Sequence, residues 1–427
     1  MNRGRGGHIA GVGSRWAALV LFSILWAPVA AAQVVDASST TMLRLKPEWK
    51  AGDTRTGFWG TEMVGLSVRG IEVSGIDDLN VQLSAWGQLS TLKDSIYPGT
   101  TGDIDLLYIQ GALFNRHLSL TLGRQLVSGG AARVLQLDGV NGTVMIGRSF
   151  GVNAYAGAPT TSRFTYPVGE FAFGGRAFWR PSYGSEVGVS FLEIISGSVL
   201  SRQDLGVDAR WAILQTVSAT ASGIFSLQEE RFADADLTLS WQVLPEVEVF
   251  AKGEHTSPDL FLPMTSIFSV FADTNRDSVG GGVFWQFHPR LGLYGEYQRL
   301  WVDGGEGDEA ELRATYKLAR KSTLGLDARF LFVPVNGVTD LRAFITHSLT
   351  ERIRLSADVE GTLLRDAVNA QTKAIVGTGS ATWAIGSGWS AMLSGSVGST
   401  PFFQTAYSLT ARVGYNFFSA PQKGTAR

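Results

Sequence analysis

The sequence contains no cysteine, and charged residues make up only 17% of its 427 residues. The absence of cysteine excludes disulfide scaffolds, thiolate metal sites, cysteine nucleophiles and lipid-anchored lipoproteins. Lysine and arginine number 36 against 38 aspartates and glutamates, so no basic field favours nucleic acid. After residue 32, no stretch approaches the roughly 18 uncharged apolar residues that a membrane-spanning helix needs. The sequence therefore argues against a disulfide-rich protein, a nucleic-acid partner and a helical membrane protein.

The N-terminus has the pattern of a secretory signal. Three arginines precede an apolar run from Trp16 to Val29, and three alanines follow it. A short apolar run that follows basic residues and ends in small residues is typical of a cleaved signal peptide. We predict cleavage between Ala32 and Gln33, with a retained membrane anchor as the alternative.

Nearly all of the chain after residue 40 alternates polar and apolar residues. From Glu309 to Leu318, charged or hydroxyl residues occupy the odd positions, and alanine, leucine or tyrosine the even ones. Repeated segments of about ten residues with this alternation are the signature of a transmembrane β-barrel. A soluble β-sandwich also alternates, but it must bury one face of every strand in a core, whereas a barrel turns that face to lipid. We predict an all-β fold, a single transmembrane up-and-down antiparallel β-barrel.

Loop lengths predict the orientation and the number of strands. Ten short turns, such as Gly75–Asp78, alternate with longer connections, such as Thr362–Gln371. Short turns in outer-membrane barrels are periplasmic and the longer loops face outward. The segment Thr41–Lys50 supplies a first strand, although Pro47 removes one donor from its ladder. The expected count is about 22 strands, with 18 or 20 as alternatives, because such barrels normally have an even number.

The predicted organisation has four parts. Residues 1–32 form the signal peptide, 33–57 an N-terminal segment with the possible first strand, 58–418 the barrel, and 419–427 a short tail. Alternate positions from Leu409 to Phe417 are apolar or aromatic. This pattern resembles the C-terminal signal by which outer-membrane barrels are recognised for assembly, although here a tail follows it. The resemblance implies the barrel assembly machinery as a partner.

Three glycine-rich stretches, Leu122–Gln125, Leu137–Val140 and Gly151–Gly157, carry a second resemblance. They look like successive hairpins of porins and of alginate-export-type outer-membrane pores, over about 40 residues with glycines that suit tilted, curved strands. The resemblance implies a pore in the outer membrane of a Gram-negative bacterium. Its polymer-export version also implies a periplasmic export protein that feeds the barrel.

A barrel of about 18 to 22 strands is too wide for its wall side chains to fill, so it encloses a water channel or a plug. The polar positions mix both signs with hydroxyl and amide groups, which favours hydroxylated solutes without a strong barrier of one sign. Trp86 and Phe178 are candidates for stacking on sugar rings if they face inward, or else for the aromatic girdle. The predicted pore-lining charged residues are Arg176, Arg180, Arg202, Asp208, Arg210, Asp234, Asp236, Glu248, Glu254, Arg313, Asp327, Arg329, Arg354, Asp358, Glu360 and Arg412.

The longest predicted connection, Thr256–Asn275, is unusually apolar for a loop that faces water. Three interpretations stay open: it folds into the lumen as a constriction, continues the adjoining strands outward, or docks on a partner. The acidic stretch Asp303–Glu309 is a candidate divalent-cation loop, but it lacks calcium-loop spacing and fits a solvated loop better. His255 is the only histidine placed for chemistry at the outer rim, and no nucleophile motif accompanies it. We expect no catalysis, no cofactor and no metal.

The sequence thus predicts an outer-membrane pore that passes a polysaccharide or other hydrophilic solutes. The favoured version is the barrel component of a polysaccharide export system. The alternatives are a general diffusion porin for small solutes and a non-conducting structural or adhesive barrel. Besides outer-membrane lipid, the expected partners are the solute, the assembly machinery and a periplasmic export protein.

Overall fold

A computed structural model describes residues 34–50, 53–92, 99–160, 169–260, 275–302, 304–319 and 321–419. Those residues form 22 β-strands and two short 3-10 helices, Gly130–Ala132 and Pro258–Leu260. Within them, no helix has the length and apolar character needed to cross a membrane. The strands are β1 Val34–Lys50, β2 Asp53–Val73, β3 Ile76–Ser90, β4 Thr100–Leu113, β5 Leu118–Ser128, β6 Val134–Ile146, β7 Phe150–Pro159, β8 Glu170–Ser182, β9 Ser185–Ser196, β10 Val199–Ala212, β11 Val217–Ser226, β12 Arg231–Leu244, β13 Val247–Thr256, β14 Arg276–His288, β15 Leu291–Val302, β16 Gly305–Ala319, β17 Ser322–Phe332, β18 Gly337–Ser348, β19 Ile353–Val368, β20 Gln371–Gly386, β21 Trp389–Thr400 and β22 Phe403–Phe418.

Every strand pairs antiparallel with the next, and the sheet closes on itself. The closing ladder joins β1 to β22, from Asp36 opposite Phe418 to Leu45 opposite Leu409. Closure removes every free sheet edge, as a lipid environment requires. The predicted all-β, up-and-down barrel of 22 strands is confirmed.

The first strand starts earlier than predicted. It runs from Val34, and β2 begins at Asp53, so the barrel wall includes residues that the sequence analysis assigned to an N-terminal segment. Pro47 faces Thr56 of β2, two residues past the last β1–β22 pair at Leu45. The proline therefore lies outside the ladder that closes the barrel, and its missing donor leaves that ladder intact.

The ten predicted short turns all connect consecutive strands, but one predicted long connection is wrong. Thr362–Gln371 is not a loop: β19 continues to Val368, and a two-residue turn of Asn369 and Ala370 follows. Both turn residues have positive φ, 49° and 62°, as a tight hairpin turn of the I′ kind requires. The strands project past the apolar band here, so polar residues occupy both faces and imitate a loop.

One face of each strand is apolar and exposed. In β21, the side chains of Leu393 and Val397 are 54% and 63% exposed, and in β22 Leu409 is 49% exposed. Ser394 and Ser396 alternate with these residues and point to the other side of the sheet. The apolar face covers the outside of the barrel, and the polar face lines its lumen.

Tryptophans form a band on the outward face near the short turns. Trp389 packs against Tyr415 with ring centroids 4.7 Å apart, and Trp179 lies 6.3 Å from Trp211. Trp241, Trp285 and Trp383 occupy corresponding strand ends, and all six indoles are between 37% and 50% exposed. Such a girdle marks the membrane–water interface. The fold is therefore a transmembrane β-barrel whose short turns lie just beyond one interface.

Candidate functional site in the barrel lumen

The connection between β5 and β6, Gly129–Arg133, leaves the barrel wall and crosses to β9–β12; we call it the inner loop. The Ala131 N–H donates to Ser190 Oγ at 2.8 Å, and the Arg133 guanidinium lies 3.2 Å from the Asp234 carboxylate. Ser190 alternates with Val189, whose side chain is 57% exposed on the outward face. The inner loop therefore packs on the lumen side of strands that are not its neighbours in the sheet.

Close packing holds the inner loop against the wall. Gly130 has φ 55°, and a Cβ there would lie 2.1 Å from Ser190 Oγ. A Cβ on Gly206 of β10 would lie 2.5 Å from the Ala131 nitrogen, so both positions need glycine. The buried apolar cluster around the loop consists of Val127, Ala131, Ala132, Leu137, Tyr155, Ala172 and Leu192.

Arg133 ends the inner loop in a partly desolvated position. Burial lowers the pKa of Arg133 to about 10, against the attraction of Asp234, which raises it. At neutral pH the guanidinium is still charged, so the contact with Asp234 is an ion pair. This pair ties the loop to β12, three strands beyond the Ser190 contact on β9.

A network of ion pairs covers the lumen face from β8 to β19. Arg176 of β8 is its best-connected member: its Nε lies 2.9 Å from an Asp208 oxygen and its Nη2 2.6 Å from Glu186, which also binds Arg180. Bidentate contacts of this kind fix guanidinium and carboxylate orientation. Further pairs on this face are Arg202–Asp204, Lys252–Glu296, Arg276–Glu309, Arg313–Asp327, Arg329–Glu309 and Arg342–Asp358.

The predicted pore-lining residues fall into two groups. Ten form ion pairs: Arg176, Arg180, Arg202, Asp208, Asp234, Glu254, Arg313, Asp327, Arg329 and Asp358. Within the described part of the chain, six have no ion-pair contact: Arg210, Asp236, Glu248, Arg354, Glu360 and Arg412. The predicted set omits Glu186, Glu296 and Arg342, which share the polar positions of their strands and complete several pairs.

The lumen face from β19 through β22 to β1 is rich in hydroxyl groups instead. Ser356 and Ser380 are hydrogen-bonded at 2.6 Å between their Oγ atoms, and Ser396 and Ser408 at 2.7 Å. Arg412 stands opposite Met392 and Met42 in this region. We call this surface the hydroxyl wall. In the closed sheet of 22 strands, β21 is eleven strands along from β10, so the wall lies across the barrel from the inner-loop contact.

Phe178 does face inward, but it is covered. Its side chain is 7% exposed and lies over Gly151, where a Cβ would stand 2.1 Å from the ring. The guanidinium carbons of Arg180 and Arg176 lie 4.5 Å and 5.1 Å from the ring centroid. The two arginines and the barrel wall therefore cover the ring and leave no face for a sugar, so the predicted stacking of Phe178 on sugars is wrong. Trp86 is half-buried on the same side as Asp103.

The other sequence-derived candidates have separate outcomes. The apolar connection Thr256–Asn275 lies largely outside the described residues, so its role as a constriction stays a prediction. Gly305–Glu309 belong to β16, and Arg299 binds Asp308 at 2.7 Å, so the expected acidic loop is an ion-paired strand end. Among the described residues, no group of three histidine, aspartate or glutamate side chains is placed to hold a metal ion.

Solved structures of outer-membrane channels resemble this barrel. OccAB4 of Acinetobacter baumannii shares 8% identity and a TM-score of 0.44, over 92% of this chain and 100% of that one. The P pilus usher (PapC) translocation pore shares 11% identity and a TM-score of 0.47, over 91% and 100%. OpdQ of Pseudomonas aeruginosa shares 9% identity and a TM-score of 0.46, over 91% and 99%.

The sequence matches no protein-family model and no curated protein. The structural likenesses concern the fold alone. The assignment of a transmembrane barrel is based on the strand pairing and the tryptophan girdle of this chain. A closed 22-stranded antiparallel barrel with an apolar outer band and an aromatic girdle is an architecture of the Gram-negative outer membrane. The chain is accordingly an outer-membrane β-barrel protein.

Proposed function

We propose that this protein is a pore for hydrophilic solutes. The observation that carries the proposal is the one-sided placement of the inner loop, which packs on β9–β12 and not on the hydroxyl wall. Twenty-two strands about 4.8 Å apart and tilted by about 40° give a backbone diameter of about 44 Å. Among the described residues, the wall side chains and the five-residue inner loop on one side do not fill such a lumen.

The lumen surface favours hydroxylated solutes, and we propose a polysaccharide as the cargo. Opposite charges on β8–β19 neutralise one another in pairs, so they set no strong barrier of one sign. The serine pairs of the hydroxyl wall both donate and accept hydrogen bonds, as a sugar hydroxyl does. The sixteen charged residues predicted from the sequence are the proposed pore lining. A periplasmic export protein would then deliver the chain to the barrel.

Single-channel conductance in a planar bilayer tests this proposal. We expect a large, weakly ion-selective conductance that added oligosaccharides block reversibly. The double variant Ser380→Val/Ser408→Val replaces two lumen hydroxyls by apolar methyl groups, so it should shorten the blocking events and leave the open conductance nearly unchanged. Ser399→Val, on the outward-facing side of β21, is the matched control. A folded but silent barrel would refute the open pore.

The alternatives give different results in cells. Deletion of an export barrel should remove a surface polysaccharide and leave small-solute uptake unchanged. Deletion of a general diffusion porin should slow that uptake and leave the polymer intact. Loss of neither function, together with a silent barrel in bilayers, would favour a structural or adhesive role.

A further inference from the structure

At the rim opposite the short turns, a serine, a histidine and an aspartate are hydrogen-bonded in series. The Ser257 Oγ lies 3.2 Å from His255 Nε2, and His255 Nδ1 lies 2.6 Å from an Asp277 oxygen. His255 stands directly opposite Asp277 in the β13–β14 ladder. The connectivity places the carboxylate on one ring nitrogen and the hydroxyl on the other, as nucleophilic catalysis by serine requires.

These three residues are separate from the lumen. His255 alternates along β13 with Glu254 and Lys252, whose side chains lie on the lumen face. It therefore belongs to the outward face, close to where β13 ends at Thr256. Trp301, 40% exposed, stands opposite Asp277 on the next strand. An indole here places the site at the level of the outer membrane–water interface.

The groups around His255 determine which protonation state of its ring can accept the Ser257 proton. The Phe232 carbonyl lies 3.2 Å from His255 Nε2 and also 3.2 Å from Ser257 Oγ. In the neutral ring, the Nδ1–H donates a hydrogen bond to Asp277. Nε2 then carries no proton and can accept a hydrogen bond from the serine hydroxyl. When the ring is protonated, Nε2 instead donates to the carbonyl. In the neutral state the single Ser257 hydroxyl proton goes either to the carbonyl or to Nε2, so the hydroxyl must turn from the carbonyl to the ring before the histidine can take its proton.

We propose that Ser257, His255 and Asp277 form an acyl-transfer site for carboxylic esters of amphiphiles in the outer leaflet. Ser257 Oγ attacks the ester carbonyl carbon while its proton moves to His255 Nε2. The bond to the alcohol oxygen breaks, and that oxygen takes the proton. Water then attacks the acyl-serine with the same histidine as base, which releases the carboxylic acid and restores the serine hydroxyl. Asp277 orients the ring throughout.

Apolar outward side chains next to the site fit an amphiphilic substrate. Phe232 and Val279 are 52% and 56% exposed on the same face as His255. Ser257 itself is only 1% exposed, so the proposed reaction requires the chain at Ser257 to open locally before an ester can reach its Oγ. Slow turnover, with labelling that develops over time, is therefore the expected behaviour.

The test uses the full chain refolded in detergent micelles, a fluorophosphonate probe and p-nitrophenyl octanoate. We expect mass spectrometry to find the probe on Ser257, and Ser257→Ala to abolish both labelling and hydrolysis. His255→Gln and Asp277→Asn should each lower the hydrolysis rate at least about 100-fold. Gel mobility and unchanged single-channel conductance show that each variant is folded.

The chain contains a matched control. Ser322 Oγ lies 2.6 Å from His347 Nδ1, and within the described residues no carboxylate pairs with that histidine. Ser322 should stay unlabelled, and Ser322→Ala should hydrolyse the ester as the parent does. A folded, conducting barrel with unlabelled Ser257 would overturn the proposal, as would hydrolysis that survives Ser257→Ala. Neither result affects the pore assignment, because conductance is measured independently.

Discussion

Replacing Leu393 by arginine tests the facing of the strands and the position of the membrane at once. Leu393 lies four residues beyond Trp389, the girdle residue at the start of β21. At about 3.4 Å per residue and a tilt of about 40°, it stands about 10 Å above the girdle, close to the middle of an apolar band about 25 Å tall. An arginine at that depth should lower the free energy of unfolding by about 2–4 kcal/mol.

Three further substitutions serve as controls. Ser394 points into the lumen at nearly the same height, so Ser394→Arg should change the free energy of unfolding by less than about 0.5 kcal/mol. Leu355 lies two residues from the start of β19, near the girdle, and Leu355→Arg should cost about 0–1 kcal/mol. Leu393→Ala separates loss of the leucine side chain from introduction of the charge.

Reversible urea unfolding in lipid vesicles, followed by tryptophan fluorescence and gel mobility, measures all four variants. A loss of about 3 kcal/mol corresponds to roughly a 100-fold shift in the folding equilibrium, which is well within reach of the assay. Equal destabilisation by Leu393→Arg and Ser394→Arg would refute the facing of the strands. Equal destabilisation by Leu393→Arg and Leu355→Arg would instead refute the position of the apolar band.

Three further substitutions test the lumen. Asp208→Asn leaves the partly buried Arg176 with Glu186 alone and should lower the free energy of unfolding by about 1–2 kcal/mol in urea titrations; no change would show that solvent screens the pair. Gly151→Ala places a Cβ 2.1 Å from the Phe178 ring and should lower the free energy of unfolding by about 1–3 kcal/mol in thermal or urea unfolding. Gly379→Ala, whose Cβ would meet nothing within 4 Å, should lower it by less than Gly151→Ala does. Arg133→Ala removes the inner loop's ion pair and should raise single-channel conductance or its noise; an unchanged trace would mean that packing alone holds the loop.

The sequence was sufficient to predict the barrel because the patterns that indicate it are local. Each strand carries its own alternation, and the short turns show where the chain reverses, so the strand count follows without any long-range contact. The end of β19 was harder to predict, since polar residues on both faces of a projecting strand look like a loop. The first strand was underestimated for a related reason: from Asp36 to Thr41 it is built mainly of serine and threonine, which give little contrast between its faces.

The candidate sites depend on contacts that no local pattern encodes. Small residues at Gly129–Ala132 allow close packing, but nothing in them names Ser190 or Gly206 as the surface that they meet. Likewise, His255 and Asp277 are brought together by strand register across a connection whose length does not fix that register. The residue types show which side chains are polar, but the strand register of the closed sheet determines which of them are in contact.

The two sides of the lumen should be separable by experiment, because they hold different kinds of groups. The inner loop rests on the ion-paired side, where Arg133 and Asp234 tie it to β12, and the hydroxyl wall lies half a circumference away. Residues in contact with neither each other nor a shared partner have effects that add within about 0.5 kcal/mol. Arg133→Ala should therefore alter open conductance, Ser380→Val the duration of oligosaccharide blocks, and the double variant should show both changes at their single-variant sizes. A longer or shorter block in Arg133→Ala alone would mean that the sugar also contacts the inner loop, and that the solute path is central rather than along the hydroxyl wall.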